Sequence, residues 1–170
     1  ETWDRGTEGT AEIAGAAHRF ARREGPTVLV MVGGTGAGKS HLLEAIGRHA
    51  LDQGRTVVYE TSKSLLDNLQ STYDRDNPET FRYRMDWYQT RGVLLLDDVG
   101  AETSTEWRIS QLTDLIEHRI QYEKPMAVTT NLDRDEMIDK LGPRIGSRLF
   151  ATNPGLPIKL VVTTAKDYRR

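Results

Sequence analysis

Eight consecutive residues, Gly33-Gly34-Thr35-Gly36-Ala37-Gly38-Lys39-Ser40, fit the spacing G-x-x-x-x-G-K-[S/T] of a phosphate cradle. Glycines let the backbone curl until successive N–H groups face an anion, and a helix starting inside the motif adds a favourable dipole. Lys39 then supports the β- and γ-phosphates of ATP, Ser40 offers its hydroxyl to Mg2+, and His41 follows on the first helical turn of the nucleotide-binding stretch. A glycine-rich turn with an incidental lysine is the competing reading. It leaves unexplained why the motif stands between an apolar run and a helical pattern.

The run Val93-Leu94-Leu95-Leu96 ends in Asp97-Asp98. Two carboxylates closing a buried strand are costly unless a cation or hydrogen bonds receive them. Asp97 is expected to act on the magnesium shell together with Ser40, and Asp98 to orient or deprotonate an attacking water. An isolated acidic pair also reads as a solvated turn, but here it accompanies a complete phosphate loop. Thr129-Thr130-Asn131 closes another apolar run, and open α/β folds gather ligands at the carboxyl ends of their strands. Asn131 is either a water-positioning residue near the γ-phosphate or a cap and turn former.

The elements that must hold these residues follow from periodicity. Val28 to Val32, Thr56 to Tyr59, Val93 to Leu96, Met126 to Thr130 and Ile158 to Val162 predict five short strands rich in branched residues. Helical patterns separate them, over Ala11 to Arg23, Lys39 to Leu51 and Ser104 to Tyr122. Ser62 to Gln89 reads as two helical pieces, Leu65 to Tyr73 and Pro78 to Tyr88. The fold class is therefore α/β: a five-stranded parallel sheet between helices, an αβα sandwich.

At 170 residues, with 37% hydrophobic and 28% charged side chains, the chain is expected to form one domain over residues 1–170. The absence of cysteine removes disulfides, thiolate zinc sites and a cysteine nucleophile, and fits a cytoplasmic location. No apolar run reaches the roughly 20 residues of a membrane helix, so no membrane partner is expected. A net charge of −2 argues against tight nonspecific DNA binding without local basic patches or oligomers. Because Glu1 is not methionine, an upstream segment is expected.

Taken together, Gly33 to Ser40, Leu94-Leu95-Leu96-Asp97-Asp98-Val99-Gly100-Ala101-Glu102 and Thr129-Thr130-Asn131-Leu132 resemble the AAA+ domain of bacterial replicative-helicase loaders, the DnaC and DnaI type. Gly142-Pro143-Arg144-Ile145-Gly146-Ser147-Arg148-Leu149 is similar to that family's box VII, and Lys166-Asp167-Tyr168-Arg169 to its terminal sensor segment. The resemblance implies a P-loop ATPase core with Walker A and Walker B elements and no carboxyl-terminal helical lid. It also implies ATP-dependent self-association, in which Arg148, with Arg144 as the nearby competitor, reaches the neighbouring subunit's ATP site. Arg169 would contact nucleotide, and Trp3 would approach the adenine. Without the resemblance, Arg144 and Arg148 read as surface cover.

Loaders of this type hold single-stranded DNA with the stretch corresponding to Ser62 to Gln89. Here it interleaves Lys63, Arg75, Arg82 and Arg84 with Tyr73, Phe81, Tyr83, Trp87 and Tyr88, a mixture suited either to DNA contact or to packing the helical pair on the sheet. The implied partner is a replicative DNA helicase, gripped through a segment not found before the first strand. Three alternatives stand beside the loader: an IstB-type transposition helper ATPase acting on duplex DNA, a small-molecule kinase, and a nucleotide-gated scaffold with little hydrolysis. The kinase fits least, because paired acids suit water activation better than an acceptor pocket.

Overall fold

Apolar runs without polar alternation become strands covered on both faces. In the computed structural model, which describes residues 10–74, 76, 78–101, 105–151 and 157–163, these strands are β1 (Val28–Gly33), β2 (Val57–Thr61), β3 (Val93–Asp97), β4 (Met126–Thr130) and β5 (Ile158–Thr163). All pair in parallel, in the order β2-β3-β4-β1-β5. The helices are α1 (Thr10–Ala21), α2 (Lys39–Asp52), α3 (Ser62–Ser71), α4 (Phe81–Thr90), α5 (Glu106–Gln121), α6 (Arg134–Leu141) and α7 (Pro143–Leu149).

Period-two alternation sends successive strand residues into two cores. Val28, Val30 and Val32 join Leu94, Leu96 and Val128 beneath α3 to α7, whereas Leu29, Met31, Leu95 and Ala127 lie beneath α1 and α2. The register sets Val30 beside both Val128 and Leu160, Leu96 beside Val128, and Thr61 beside Asp97. The carboxyl ends of the strands therefore share one edge. Because β4 lies between β1 and β3, its last residues separate the phosphate loop from the acidic pair. Among the described residues no helix is long and apolar enough to cross a membrane.

Helix starts depart from the expected positions for a local reason. Thr61, Thr80 and Thr105 each accept a hydrogen bond from the amide three residues on, at 3.1, 3.3 and 3.3 Å. A side-chain cap contributes about 1 kcal/mol, so α3 begins at Ser62, α4 begins beyond Pro78 and α5 begins at Glu106. Asp133 and Glu136 form a reciprocal capping box on α6.

Helix ends follow one pattern in α1, α2 and α5. The residues at Arg23, Gly54 and Glu123 have φ of 60°, 69° and 47°. The next amide returns to a carbonyl five residues back: Glu24 to Arg19 at 2.8 Å, Arg55 to Ala50 at 3.0 Å, and Lys124 to Arg119 at 2.8 Å. Glycine takes this left-handed conformation freely, whereas a residue with a Cβ gives up about 1–2 kcal/mol. Arg23 thus ends α1 earlier than the periodicity predicts.

Arg119 anchors the loop that precedes β3. It is 0% exposed and donates to the carbonyls of Tyr88 at 2.5 Å, Arg91 at 3.2 Å, Gly92 at 2.7 Å and Pro125 at 2.8 Å. Burial lowers its pKa to about 10, which leaves the guanidinium charged at neutral pH. Gly92 cannot be replaced there, since an added Cβ would collide with the Thr56 carbonyl oxygen. Arg119→Met removes the donor shared by four carbonyls and is expected to destabilise the domain by about 3 kcal/mol or more. Urea unfolding followed by circular dichroism checks this, and a loss below about 1 kcal/mol would contradict it.

Candidate functional site

The phosphate loop leaves β1 at Gly33 and enters α2 at Lys39. Gly33 is required by a close approach: a Cβ there would lie 2.8 Å from the carbonyl oxygen of Thr163 on β5. Gly36 and Gly38 both have φ of 79°, and α2 starts from Gly38 with no side-chain cap. The amino-terminal turn of α2, with no side-chain cap from Gly38, has the backbone geometry that suits an anion. A Cβ on Gly34 would meet nothing within 4 Å, so the loop opens to space on that side.

Lys39 is 7% exposed and its ammonium is held by the chain itself. Nζ donates to the Gly33 carbonyl at 2.6 Å, the Gly34 carbonyl at 2.9 Å and Asn131 Oδ1 at 2.7 Å. Those contacts match an ammonium's three donors and compensate its loss of water.

Asp97, 8% exposed, ends β3 among hydroxyls. Ser40 Oγ donates to Oδ1 at 3.1 Å, Thr129 Oγ1 donates to the same oxygen, and Tyr59 OH donates to Oδ2 at 2.8 Å. Burial, reinforced by Asp97, raises the Tyr59 pKa well above the usual phenol value, so this hydroxyl keeps its proton at neutral pH. Asp98 follows in a left-handed conformation, φ 55°. That strain is held by its own amide donating to Thr129 Oγ1 at 2.9 Å, by Ser62 Oγ donating to its carbonyl at 3.0 Å, and by the Val99 amide donating to the Thr129 carbonyl at 2.8 Å.

Asn131 joins the two halves. Its Nδ2 donates to Asp98 Oδ1 at 3.1 Å while its Oδ1 accepts from Lys39, a pairing that fixes which way the amide points. Lys39, Ser40, Asp97, Asp98 and Asn131, separated by as many as 92 positions in sequence, meet at one edge of the sheet. His41 is exposed on the first turn of α2. Ser40 and Asp97 are a hydroxyl and a carboxylate of the kind that would suit a hard cation. Among the described residues no group of three or more His, Asp or Glu side chains could hold a metal alone, so phosphate and water oxygens would complete such a shell.

Arg148 and Arg144 stand apart from this network. Both reach Glu117 of α5, with Arg148 Nε 3.6 Å from Oε1 and Arg144 Nη2 2.8 Å from Oε2. Their side chains are 54% and 72% exposed, so both guanidiniums face outward. Arg169, the rest of Lys166 to Arg169, Glu102, Arg75 and Trp3 lie outside the described residues. Within residues 62–89, Phe81 and Trp87 pack against the core, and buried Tyr88 donates to Glu60 at 3.2 Å. Burial pushes the Tyr88 hydroxyl up to about 12. Arg84 pairs with Glu79 and Lys63 with Asp67, leaving Tyr73 and Tyr83 exposed.

Comparison with known proteins matches residues 13–143 to the family described as IstB-like ATP binding protein. The chain belongs to this ATP-binding family. It is similar to the replicative helicase loader DnaC of Buchnera aphidicola subsp. Schizaphis graminum, 24% identical over 148 residues covering 86% of this chain and 60% of that one. It is also similar to the chromosomal replication initiator DnaA of Aliarcobacter butzleri, 29% identical over 144 residues covering 82% of this chain and 32% of that one. The chain thus spans 32% and 60% of these relatives' lengths. A solved structure of the DnaC helicase loader superposes with a TM-score of 0.80 at 21% identity, covering 96% of this chain and 95% of that one. The five-stranded parallel α/β fold is shared with that DnaC structure, and the resemblance to the DnaC type holds.

Two members of the IstB-like site escape motif reading. Thr129 serves both acids, and Tyr59 reaches Asp97 from β2. Thr129→Val keeps the shape and removes both hydroxyl contacts. It is expected to weaken ATP affinity in magnesium about tenfold, with Tyr59→Phe having a smaller effect in the same direction. Calorimetric titration with and without magnesium checks both, and unchanged affinity in Thr129→Val would contradict the role given to its hydroxyl.

Proposed function

We propose that this chain is the ATP-hydrolysing AAA+ core of a replicative helicase loader, a single ATPase domain that assembles with ATP. The network running from Lys39 through Asn131 to Asp98, beside the Ser40–Asp97 pair, is the observation that carries the ATPase reading. It puts a phosphate-binding cation, a polar amide and two carboxylates with distinct partners at the mouth of one glycine loop.

Arrival of a triphosphate gives Lys39 stronger acceptors than the Gly33 and Gly34 carbonyls, since hydrogen bonds between ionised groups are roughly twice as strong as neutral ones. Its transfer to the β- and γ-phosphates frees Asn131 Oδ1, which then orients water while Nδ2 still holds Asp98. Asp98 accepts the proton of that water. Ser40 and Asp97 fit Mg2+ as hydroxyl and carboxylate donors, with Tyr59 and Thr129 as the hydroxyls that orient the acid. Bound magnesium would neutralise the negative charge that develops on phosphoryl transfer. The nucleotide contacts assigned to His41 and Arg169 belong to the same reading.

Arg148, exposed and tethered to Glu117, completes a neighbouring copy's site, with Arg144 as its alternative. A finger supplied in trans is worth about 10³ to 10⁵ in rate, so the isolated domain is a weak ATPase stimulated by assembly. Tyr73 and Tyr83, exposed on the α3–α4 side, offer stacking surfaces to single-stranded DNA, and a replicative helicase is the protein partner. Placement in the IstB-like family favours one second reading, a transposition helper that prefers duplex DNA; comparing single- and double-strand binding separates the two.

Lys39→Ala is expected to lower ATP affinity at least a hundredfold by fluorescence titration. Asp98→Asn should keep binding and lose hydrolysis in single-turnover assays. Arg148→Ala should also keep binding, and lose about a hundredfold or more of the turnover that rises with protein concentration. Full concentration-dependent turnover in Arg148→Ala would remove the finger assignment, and hydrolysis surviving in Asp98→Asn would remove its role as base.

A further inference from the structure

At the amino-terminal edge of the sheet, where α1 ends and β1 begins, lies a cleft of about 410 Å³. Arg22, Arg23, Arg55 and His49 line it against one carboxylate, Glu24. It is far from the phosphate loop. α2 starts at that loop and its 14 residues, rising about 1.5 Å each, place His49 near the opposite end, roughly 15–20 Å away.

Several features distinguish this cleft from a scatter of surface arginines. Arg23 adopts the left-handed conformation that Gly54 supplies at the end of α2, so a strained position is filled by a long cation. Arg55 Nη2 donates to the Ala21 carbonyl at 2.7 Å, but its buried Nε has no hydrogen-bond partner among the described residues. Burial, followed by the charge of Arg23, lowers the Arg55 pKa, which places two guanidiniums close enough to repel. Glu24 answers only part of this charge, pairing with Arg22 at 2.7 Å.

The carboxyl ends of α1 and α2 contribute about half a negative charge each, which still leaves the three arginines in surplus over Glu24. That surplus sits in a chain whose net charge is −2. Among the described residues, Ala21 is the one apolar side chain lining the cleft and no Phe, Tyr or Trp does, so the apolar anchor of a peptide finds no seat. Guanidinium forks match phosphate oxygens.

We propose that this cleft binds the phosphodiester backbone of nucleic acid, at a second site on the end of the domain opposite the phosphate loop. The proposal goes beyond the ATPase reading and does not rest on it. Anisotropy titrations of a labelled single-stranded oligonucleotide, and of a duplex of equal length, across a salt series test it in the whole chain. Arg22→Gln/Arg23→Gln is expected to bind the single strand about tenfold more weakly. Its log–log salt slope should fall by about 0.7 for each phosphate that is no longer neutralised.

Two further variants separate binding from folding. Glu24→Gln, which frees Arg22, should raise DNA affinity about threefold. Arg23→Gly should raise the urea midpoint by relieving the helix end, yet lower DNA affinity. ATP titrations should match wild type in all of them. Unchanged affinity and salt slope in the double variant would overturn the proposal, as would weaker binding by Glu24→Gln. A double variant that no longer binds inorganic phosphate but keeps its DNA affinity would also overturn it.

Discussion

A carboxylate that is 8% exposed at the end of a wholly apolar strand cannot stand without donors, and the way Asp97 is received organises the site around it. Hydroxyls reach it from three different elements: Ser40 from α2, Tyr59 from β2 and Thr129 from β4. Each of those elements must therefore present its residue at the same edge of the sheet and in the right order. The parallel arrangement with β4 between β1 and β3 satisfies this, because it lays Thr129 between the phosphate loop and the acids. Thr129 then holds the strained turn at Asp98 as well, so one hydroxyl fixes the Asp97 carboxylate and the Asp98 backbone. A cation at Ser40 and Asp97 would replace hydroxyl hydrogen bonds with stronger interactions, and under the proposed function the same constraint would underlie the response to nucleotide.

Much of this was legible because it is local. The five strands lie within a residue or two of the apolar runs, and the phosphate loop falls between β1 and α2 as its spacing requires. Helix starts were less legible. The periodicity of α3, α4 and α5 shows where apolar faces lie, whereas the boundary is set by single threonine caps at Thr61, Thr80 and Thr105. Arg23 hid the end of α1 because the stop signal there is a conformation that glycine would have announced.

The site was legible as separate motifs but not as a network. Asn131 stood between a cap and a water-positioning residue, and its contacts with Lys39 and Asp98 come from pairings 92 and 33 positions apart that no local pattern carries. Tyr59 and Thr129 were missed for the same reason: an aromatic and a threonine near strand ends look like ordinary strand formers. Thr129-Thr130 did carry a signal, since two hydroxyls closing a buried strand need acceptors, and Thr130 finds one in the Val99 carbonyl at 2.8 Å. The aromatics between residues 62 and 89 divided between the two readings open to them, with Phe81, Trp87 and Tyr88 taken up by packing, Tyr83 left to solvent, and Tyr73 stacked on Phe81 with much of its ring still exposed.

The central claim is that Lys39 and Asp97 are held in place by groups they exchange for a magnesium-bound triphosphate. A crystal structure of this chain with magnesium and a nonhydrolysable ATP analogue tests it most directly. Lys39 Nζ is expected on the β- and γ-phosphates, released from Asn131, with Ser40 and Asp97 at the metal shell. Lys39 remaining on the Gly33 and Gly34 carbonyls beside a bound nucleotide, or Asp97 turned away from the metal, would contradict it.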